Sequence, residues 1–146
     1  MLHSTARCST VSRRRWTVAK VLLDTHVFLW LLAEPERLGA HLRLVEDPAN
    51  SMLLSAASSW EIAIKVRLGR LALPDDPKRY VPDRMRAIGA EPLAVEHAHA
   101  LEVAALPPLH RDPFDRILVA QARHLDLTIL TADAALASYD VRTILV

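Results

Sequence analysis

The hydrophobic positions of this chain follow two patterns, which predict two kinds of secondary structure. Short apolar runs without helical spacing predict five strands, at residues 21–23, 52–54, 91–95, 128–130 and 142–146. Stretches with apolar residues three and four positions apart predict helices, at residues 27–33, 38–46, 55–69, 78–88, 96–105, 113–125 and 134–137. This alternation predicts an α/β fold with a mostly parallel five-stranded sheet covered by helices on both faces.

The first predicted strand ends abruptly at an acid. Asp24 follows the apolar residues 21–23 directly, and the apolar segment 27–33 then predicts a short helix that packs back on the strand. In parallel α/β proteins, functional groups collect outside the carboxyl ends of the strands. Asp24 is therefore the first candidate for a functional residue.

The segment 113–125 has the clearest helical pattern of the chain. Its apolar stripe consists of Phe114, Ile117, Leu118, Ala122 and Leu125. Asp112 before Pro113 is a strong signal for a helix start, because Asp caps the first turn and Pro fits its first position. Asp115 then lies in the first turn, where an acid complements the helix dipole.

Composition limits the class of protein. With 146 residues, of which 51% are hydrophobic and 24% charged, the chain is expected to form one compact domain. A formal charge of +1 neither requires nor excludes a nucleic-acid partner. Cys8 is the single cysteine, which excludes an intrachain disulfide and favours a cytoplasmic location. The apolar runs are shorter than the roughly 20 residues of a membrane span, so no membrane association is expected.

The N-terminal segment differs from the rest. Residues 1–19 are rich in Ser, Thr and Arg and show no periodicity. We expect them to be a disordered, dispensable extension, and we expect the domain to comprise residues 20–146. The run of arginines at 13–15 resembles the start of a signal peptide, but Lys20 and Asp24 interrupt the apolar segment that should follow, so export is not expected.

Four acids share one kind of position in the predicted fold. Asp24 and Asp133 follow strands, whereas Glu61 and Asp115 lie near the starts of helices. Taken singly, each has an ordinary explanation: a helix cap for those after strands, a pair with Lys65 for Glu61, and the helix dipole for Asp115. Capping does not explain why all four converge on one edge of the sheet. Clustered carboxylates repel one another unless a cation neutralises them, so the pattern predicts bound Mg²⁺ or Mn²⁺.

Histidines and basic residues offer further candidates. The histidines do not match any zinc-binding spacing, and we interpret them as surface residues or as supports for metal ligands, namely His26, His97, His99 and His110. Basic residues near the acidic edge form either a solvated surface or a track for a phosphate backbone, and both readings remain open. The basic residues near this edge are Lys65, Arg67, Arg70, Arg111, Arg116 and Arg123, and the RNA-binding candidates among them are Lys65, Arg67, Arg111 and Arg116.

Four segments resemble those of a known family. They are LLDTHVFLWLL, SSWEIAIKVRLGRL, HRDPFDRILVAQA and LTILTAD. They are similar to successive signatures of PIN-domain ribonucleases, specifically the VapC-type toxins of bacterial toxin–antitoxin pairs, and the resemblance runs from about residue 20 to the C-terminus. It implies a three-layer α/β/α sandwich, Mg²⁺-dependent endoribonuclease activity on RNA, a small antitoxin that blocks the site, and a homodimer.

The resemblance also assigns roles by position. The catalytic and metal-binding acids would be Asp24, Glu61, Asp115 and Asp133. Thr131 matches a hydroxyl residue beside the last acid. The implied reaction is phosphodiester hydrolysis by a metal-activated water, in which Glu61 holds a second ion or orients the water. An apolar antitoxin segment is expected to pack on the helices around Trp30 and Trp60.

Two other functions agree with parts of the pattern. A haloacid-dehalogenase-like phosphatase also has an Asp after its first strand, but it needs a second Asp two residues on, where this chain has His26. A non-catalytic PIN-like RNA-binding or scaffold protein would use the acids only as caps. A metal-dependent cleavage assay separates the second alternative from the nuclease.

Overall fold

Five parallel strands form the centre of the computed structural model, which describes residues 19–146. The strands are β1 (Lys20–Leu23), β2 (Ser51–Ser55), β3 (Ala90–Leu93), β4 (Thr128–Thr131) and β5 (Arg142–Leu145). Their order in the sheet is β3-β2-β1-β4-β5, and every neighbouring pair is parallel. The predicted parallel α/β sheet is therefore confirmed, with β1 at its centre.

Helical segments connect consecutive strands. The α-helices are α1 (Thr25–Ala33), α2 (Leu42–Glu46), α3 (Ala56–Arg67), α4 (Pro77–Ile88), α5 (His97–Glu102) and α6 (Pro113–Leu125). Short 3₁₀ segments span Pro35–His41, Val103–Ala105 and Ala134–Ser138. Among residues 19–146, no helix has the length and apolar character that crossing a bilayer requires.

Most predicted elements are confirmed, and three differ, among them the predicted helix 134–137, which is a 3₁₀ segment. The prediction of one helix at 38–46 is wrong, because Gly39 has a φ of 52° and divides the segment into a 3₁₀ turn and α2. The predicted helix 96–105 continues as 3₁₀ structure after Glu102. Strand β3 lies at the sheet edge, as predicted. An edge strand pairs with a neighbour on one side only, so Pro92, which has no backbone N–H to donate, is tolerated there.

The core lies on both faces of the sheet. Val21 and Leu23 point to one face, where they pack in a cluster with Phe28 of α1. Leu22 points to the opposite face and packs with Leu118 of α6. Because successive residues of a strand face opposite sides, a central strand that is apolar throughout indicates helices on both sides. The layers are therefore helix, sheet and helix.

The pairing of β1 with β2 extends to the residue before β1. The Ala19 carbonyl accepts a 3.0 Å hydrogen bond from the Ser51 N–H. Residues 1–18 lie outside the described part of the chain, so the expectation of a dispensable segment at residues 1–19 and a domain at residues 20–146 stays a prediction.

Candidate active site

Asp24 lies at the carboxyl end of β1 and is almost fully buried, with 3% of its surface exposed. Its Oδ2 accepts a 2.7 Å hydrogen bond from the hydroxyl of Thr131, at the end of the neighbouring strand β4. Oδ1 has no hydrogen-bond partner among residues 19–146. Although Asp24 occupies the N-cap position of α1, its side chain does not cap the helix. Burial raises its pKa above the ordinary value.

Asp115 is the most strongly perturbed acid of the site. It lies in the first turn of α6, whose start is capped by Asp112 through the N–H groups of Phe114 at 2.8 Å and Asp115 at 3.3 Å. Burial and then the negative charges of Asp24, Asp112 and Glu61 raise the pKa of its carboxyl to about 7. The raised pKa of Asp115 therefore follows from its burial and from the acids that surround it, which is the pattern found at functional sites.

Asp133 lies on the more open side of the site. Its side chain is 43% exposed, its Oδ1 accepts the Ala135 N–H at 2.9 Å, and its Oδ2 lies 3.0 Å from Nε2 of His110. The Ala135 N–H and then His110 lower the pKa of this carboxyl. Asp133 therefore caps the following 3₁₀ segment and faces the other acids at once, and its backbone N–H donates to Thr131 at 3.0 Å.

Glu61 lies on α3, on the other side of Asp24. It is 4% exposed and forms a 2.7 Å ion pair with Lys65, which is the ordinary pairing expected for this spacing. Its charge also contributes to the raised pKa of both Asp24 and Asp115. A 2.9 Å hydrogen bond between the buried hydroxyls of Thr25 and Ser58 fixes α3 against α1.

His110 is one of the four histidines interpreted from the sequence as surface residues or as supports for metal ligands, and the structure places it among the acids. Its Nε2 lies 3.3 Å from Oδ2 of Asp115 and 3.0 Å from Oδ2 of Asp133. One ligand-type atom from each of these three residues lies within 4.8 Å of the others. In the sequence, the feature that indicates a role for His110 in the site is its position two residues before Asp112, in the loop that leads into α6.

The basic candidates divide into two groups. Lys65 and Arg111 line a groove of about 350 Å³ that also includes Arg70 and Glu61, and Arg67 is exposed on α3. Arg116 differs, because its guanidinium donates hydrogen bonds to the carbonyl oxygens of Val103, Leu106, Pro107 and His110 and to the Tyr139 hydroxyl, at 3.0–3.4 Å. These contacts fasten the loop before α6 to the helix.

The site fits a hard divalent cation. Carboxylate oxygens dominate its donor set, and oxygen is the ligand that Mg²⁺ and Mn²⁺ favour. The buried Oδ1 of Asp24 lacks a partner in the described part of the chain, and the pKa values of Asp24 and Asp115 are raised together. A cation among these groups would supply the missing partner and offset the repulsion.

Comparison with known proteins gives the family. The model of the PIN domain matches residues 21–142. Ribonuclease VapC22 of Mycobacterium tuberculosis is 30% identical over 122 residues, which cover 82% of this chain and 91% of that protein. Ribonuclease VapC16 of the same organism is 61% identical over 56 residues, which cover 38% of this chain and 40% of VapC16. The chain belongs to the PIN-domain family and is homologous to the mycobacterial VapC ribonucleases.

The fold is also found in solved structures. The crystal structure of VapBC2 from Rickettsia felis, bound to a DNA fragment from their promoter, contains a chain that superposes with a TM-score of 0.64. The match covers 86% of this chain and 97% of that one at 12% identity, so it supports the fold alone.

Proposed function

We propose that this protein is a metal-dependent endoribonuclease and the toxin of a type II toxin–antitoxin pair. The observation that carries the proposal is Asp24, a buried carboxylate that does not cap its helix and whose Oδ1 has no partner among residues 19–146. A purely structural acid would use its oxygens within the fold. The two mycobacterial relatives named ribonucleases support the choice of substrate.

The metal ligands we propose are Asp24, Asp115 and Asp133, with Mg²⁺ as the ion and Mn²⁺ as its substitute. When bound, the ion lowers the pKa of a water molecule and stabilises the charge that develops on the phosphoryl group and leaving oxygen. Asp115, whose pKa is about 7, would hold the ion in its deprotonated form, because a proton and a metal ion compete for the same carboxylate. Thr131 occupies Oδ2 of Asp24 and thereby leaves Oδ1 without a partner among residues 19–146.

Glu61 and the basic groove complete the proposed site. Glu61 holds a second ion or orients the attacking water, and Lys65 keeps its carboxylate in place. Lys65, Arg67 and Arg111 contact the RNA backbone, for which a cationic groove next to the acids is suitable. Arg116 is left out of this surface, because its guanidinium is bound to main-chain oxygens.

We also propose an antitoxin partner and a homodimer. Trp60 is 64% exposed and packs edge-to-face on Phe114, with ring centroids 5.2 Å apart. A pocket of about 310 Å³ beside them is lined by Ala56, Ala57, Trp60, Val95, Pro113, Phe114 and Ile117. An exposed apolar surface next to the acids suits an antitoxin segment that covers the site. Trp30 is half-buried beneath the guanidinium of Arg37, at 4.2 Å, so we centre this contact on Trp60.

A cleavage assay tests the proposal against the non-catalytic alternative. If the protein is a nuclease, the purified chain should cut RNA in the presence of Mg²⁺, and cleavage should stop in EDTA. If it is an RNA-binding or scaffold protein, it should bind RNA without cleavage under both conditions. Size-exclusion chromatography with light scattering tests the homodimer separately.

A further inference from the structure

His110 is held by hydrogen bonds at both ring nitrogens. Its Nδ1 accepts a 3.0 Å hydrogen bond from the backbone N–H of Asp112. Its Nε2 faces two carboxylates, Oδ2 of Asp133 at 3.0 Å and Oδ2 of Asp115 at 3.3 Å. The ring therefore connects the loop before α6, the first turn of α6 and the segment after β4.

The contact at Nδ1 decides which nitrogen carries hydrogen. An N–H that points at Nδ1 requires a lone pair there, so the neutral ring must carry its hydrogen on Nε2. A metal ligand at Nε2 needs the reverse arrangement, with the lone pair on Nε2 and a hydrogen on Nδ1. A hydrogen on Nδ1 would clash with the hydrogen of the Asp112 N–H, which points at the same nitrogen. The imidazole of His110 is therefore a donor to the acids and not a ligand of the ion, although it lies among ligand-type atoms.

The backbone on both sides of His110 is held by hydrogen bonds. Arg116 donates hydrogen bonds to the carbonyl oxygens of His110, at 3.4 Å, and Pro107, at 3.0 Å. Asp112, two positions after His110, is fixed as well, because its side chain accepts hydrogen bonds from the N-terminus of α6. His110 thus projects from a loop that is attached on both sides.

The two carboxylates depend on His110 to different degrees. Asp133 keeps a second hydrogen bond, from the Ala135 N–H at 2.9 Å. For the Asp115 carboxylate, His110 at 3.3 Å is an ion-pair contact, and its positive charge lowers the pKa of this acid against the negative charges around it. Loss of the imidazole would therefore leave Asp115 more strongly exposed to the negative charges of Asp24 and Asp112.

We propose that His110 is a positioning residue whose Nε2–H donates a hydrogen bond to Asp133 and lies 3.3 Å from Oδ2 of Asp115, and that this bridge sets the separation of these two metal-binding carboxylates. This inference rests on the proposed function for the identity of the ligands. Hydrogen bonds to ligating carboxylates hold them in place for the ion, and their loss typically weakens metal binding about 10- to 100-fold. The bridge also joins acids from two elements of the fold, so neither element alone determines the geometry.

Two variants separate the bridge from the loop contact. Asn at position 110 offers an oxygen near the place of Nδ1, so it can accept the Asp112 N–H but cannot reach the acids. Gln offers an N–H near the place of Nε2, so it can reach the acids. We expect His110→Asn to weaken Mn²⁺ binding, measured by calorimetry without RNA, about 10- to 100-fold, and His110→Gln to restore most of it. Wild-type affinity in His110→Asn would overturn the proposal.

Two measurements on the unmodified protein do not depend on how the variants fold. In the metal-free protein, ¹⁵N NMR should find the unprotonated nitrogen of His110 at Nδ1. With Mn²⁺ bound, pulsed EPR should show no nitrogen coordinated to the ion. A protonated Nδ1 with a free Nε2, or a directly bound nitrogen that disappears in His110→Gln, would make His110 a ligand and contradict the proposal.

The outcome is distinguishable from failure of the proposed function. A protein that binds Mn²⁺ with the expected His110 dependence but cuts no RNA would refute the nuclease and support the bridge. A protein that cuts RNA while His110→Asn binds Mn²⁺ normally would refute the bridge alone. Absence of Mn²⁺ binding by the wild type would contradict both.

Discussion

The hydroxyl of Thr131 donates a 2.7 Å hydrogen bond to Oδ2 of Asp24, across the ends of two neighbouring strands. The two residues are 107 positions apart in the chain, and both are buried. This bond occupies one oxygen of Asp24 and leaves the other, Oδ1, for the proposed cation.

Thr131→Val should weaken both metal binding and the metal-bound fold. Val has the same shape but lacks the hydroxyl, so Asp24 loses the donor that favours its charged form. A hydrogen bond to a charged group contributes about 1.5–3 kcal/mol. Thr131→Ser keeps the hydroxyl and should restore Mg²⁺ affinity in calorimetry. Equal affinity in Thr131→Val and the wild type would show that this contact does not direct Asp24.

The raised pKa of Asp115 predicts how the free energy of unfolding changes with pH when EDTA removes metal ions. Its pKa is about 7 in the fold against an ordinary value of 3.8, so the folded state keeps a proton that the unfolded chain releases between these values. Its contribution to stability is therefore complete below about pH 4 and is lost as the pH rises to about 7. Asp115→Asn should melt at a higher temperature than the wild type at pH 8, and the difference should shrink towards pH 5. A constant difference would contradict the raised pKa.

The same carboxyl predicts the pH dependence of metal binding. Below about pH 7 a proton competes with the ion for Asp115, so Mg²⁺ affinity should rise with pH and level off above that value. Calorimetry between roughly pH 5.5 and 8.5, the range around this pKa, measures how Mg²⁺ affinity depends on pH. Asp24, whose pKa is also raised by burial, acts in the same direction. Affinity that falls with rising pH would be inconsistent with both acids as ligands.

Asp112 and Asp115 separate a structural acid from a metal-binding one. Asp112→Asn should keep most of the helix cap, because an amide oxygen can also accept the N–H groups of Phe114 and Asp115. It should therefore retain much of the RNA cleavage. Asp115→Asn should lose cleavage while the fold stays intact. The assignment fails if Asp115→Asn cuts RNA at the wild-type rate or if Asp112→Asn alone abolishes cleavage.

Arg116 and Arg67 distinguish a structural arginine from a surface one. Arg116→Gln should lower the free energy of unfolding by at least about 2 kcal/mol, since main-chain carbonyl oxygens lose a charged donor. Arg67→Gln, at an exposed position of α3, should leave stability unchanged and weaken RNA binding. Urea denaturation and RNA binding at low salt provide the two readouts. Unchanged stability in Arg116→Gln would return this residue to the RNA-contact candidates.

Sequence patterns predicted those parts of the fold that depend on local periodicity. The start of α6 followed from Asp112 and Pro113, and the apolar run before Asp24 placed this acid at the end of a buried strand. The break at Gly39 was missed because apolar spacing continues across it, whereas the backbone there adopts a positive φ. The place of a residue within a helix or strand was therefore easier to predict than a local change in backbone direction such as the one at Gly39.

Contacts between distant segments could not be predicted in the same way. His110 joins the site because the segment after β4 brings Asp133, 23 residues away, to its Nε2. Arg116 has the spacing of a surface cation, and its main-chain partners appear only once the loop before α6 is folded. In both cases the partner is an oxygen whose position depends on tertiary structure, and no spacing in the sequence encodes it.

The central claim is that Asp24 binds a divalent ion that RNA cleavage requires. Its most direct test is the rate of RNA cleavage by the wild type and by Asp24→Asn over a Mg²⁺ titration, with Asp140→Asn as the control at an exposed acid. We predict that EDTA abolishes wild-type cleavage, that added Mg²⁺ restores it, and that Asp140→Asn behaves like the wild type. Asp24→Asn should be slower by about 100-fold or more, the effect of removing one group that stabilises transition-state charge. Wild-type cleavage in excess EDTA, or an undiminished rate in Asp24→Asn, would contradict the account.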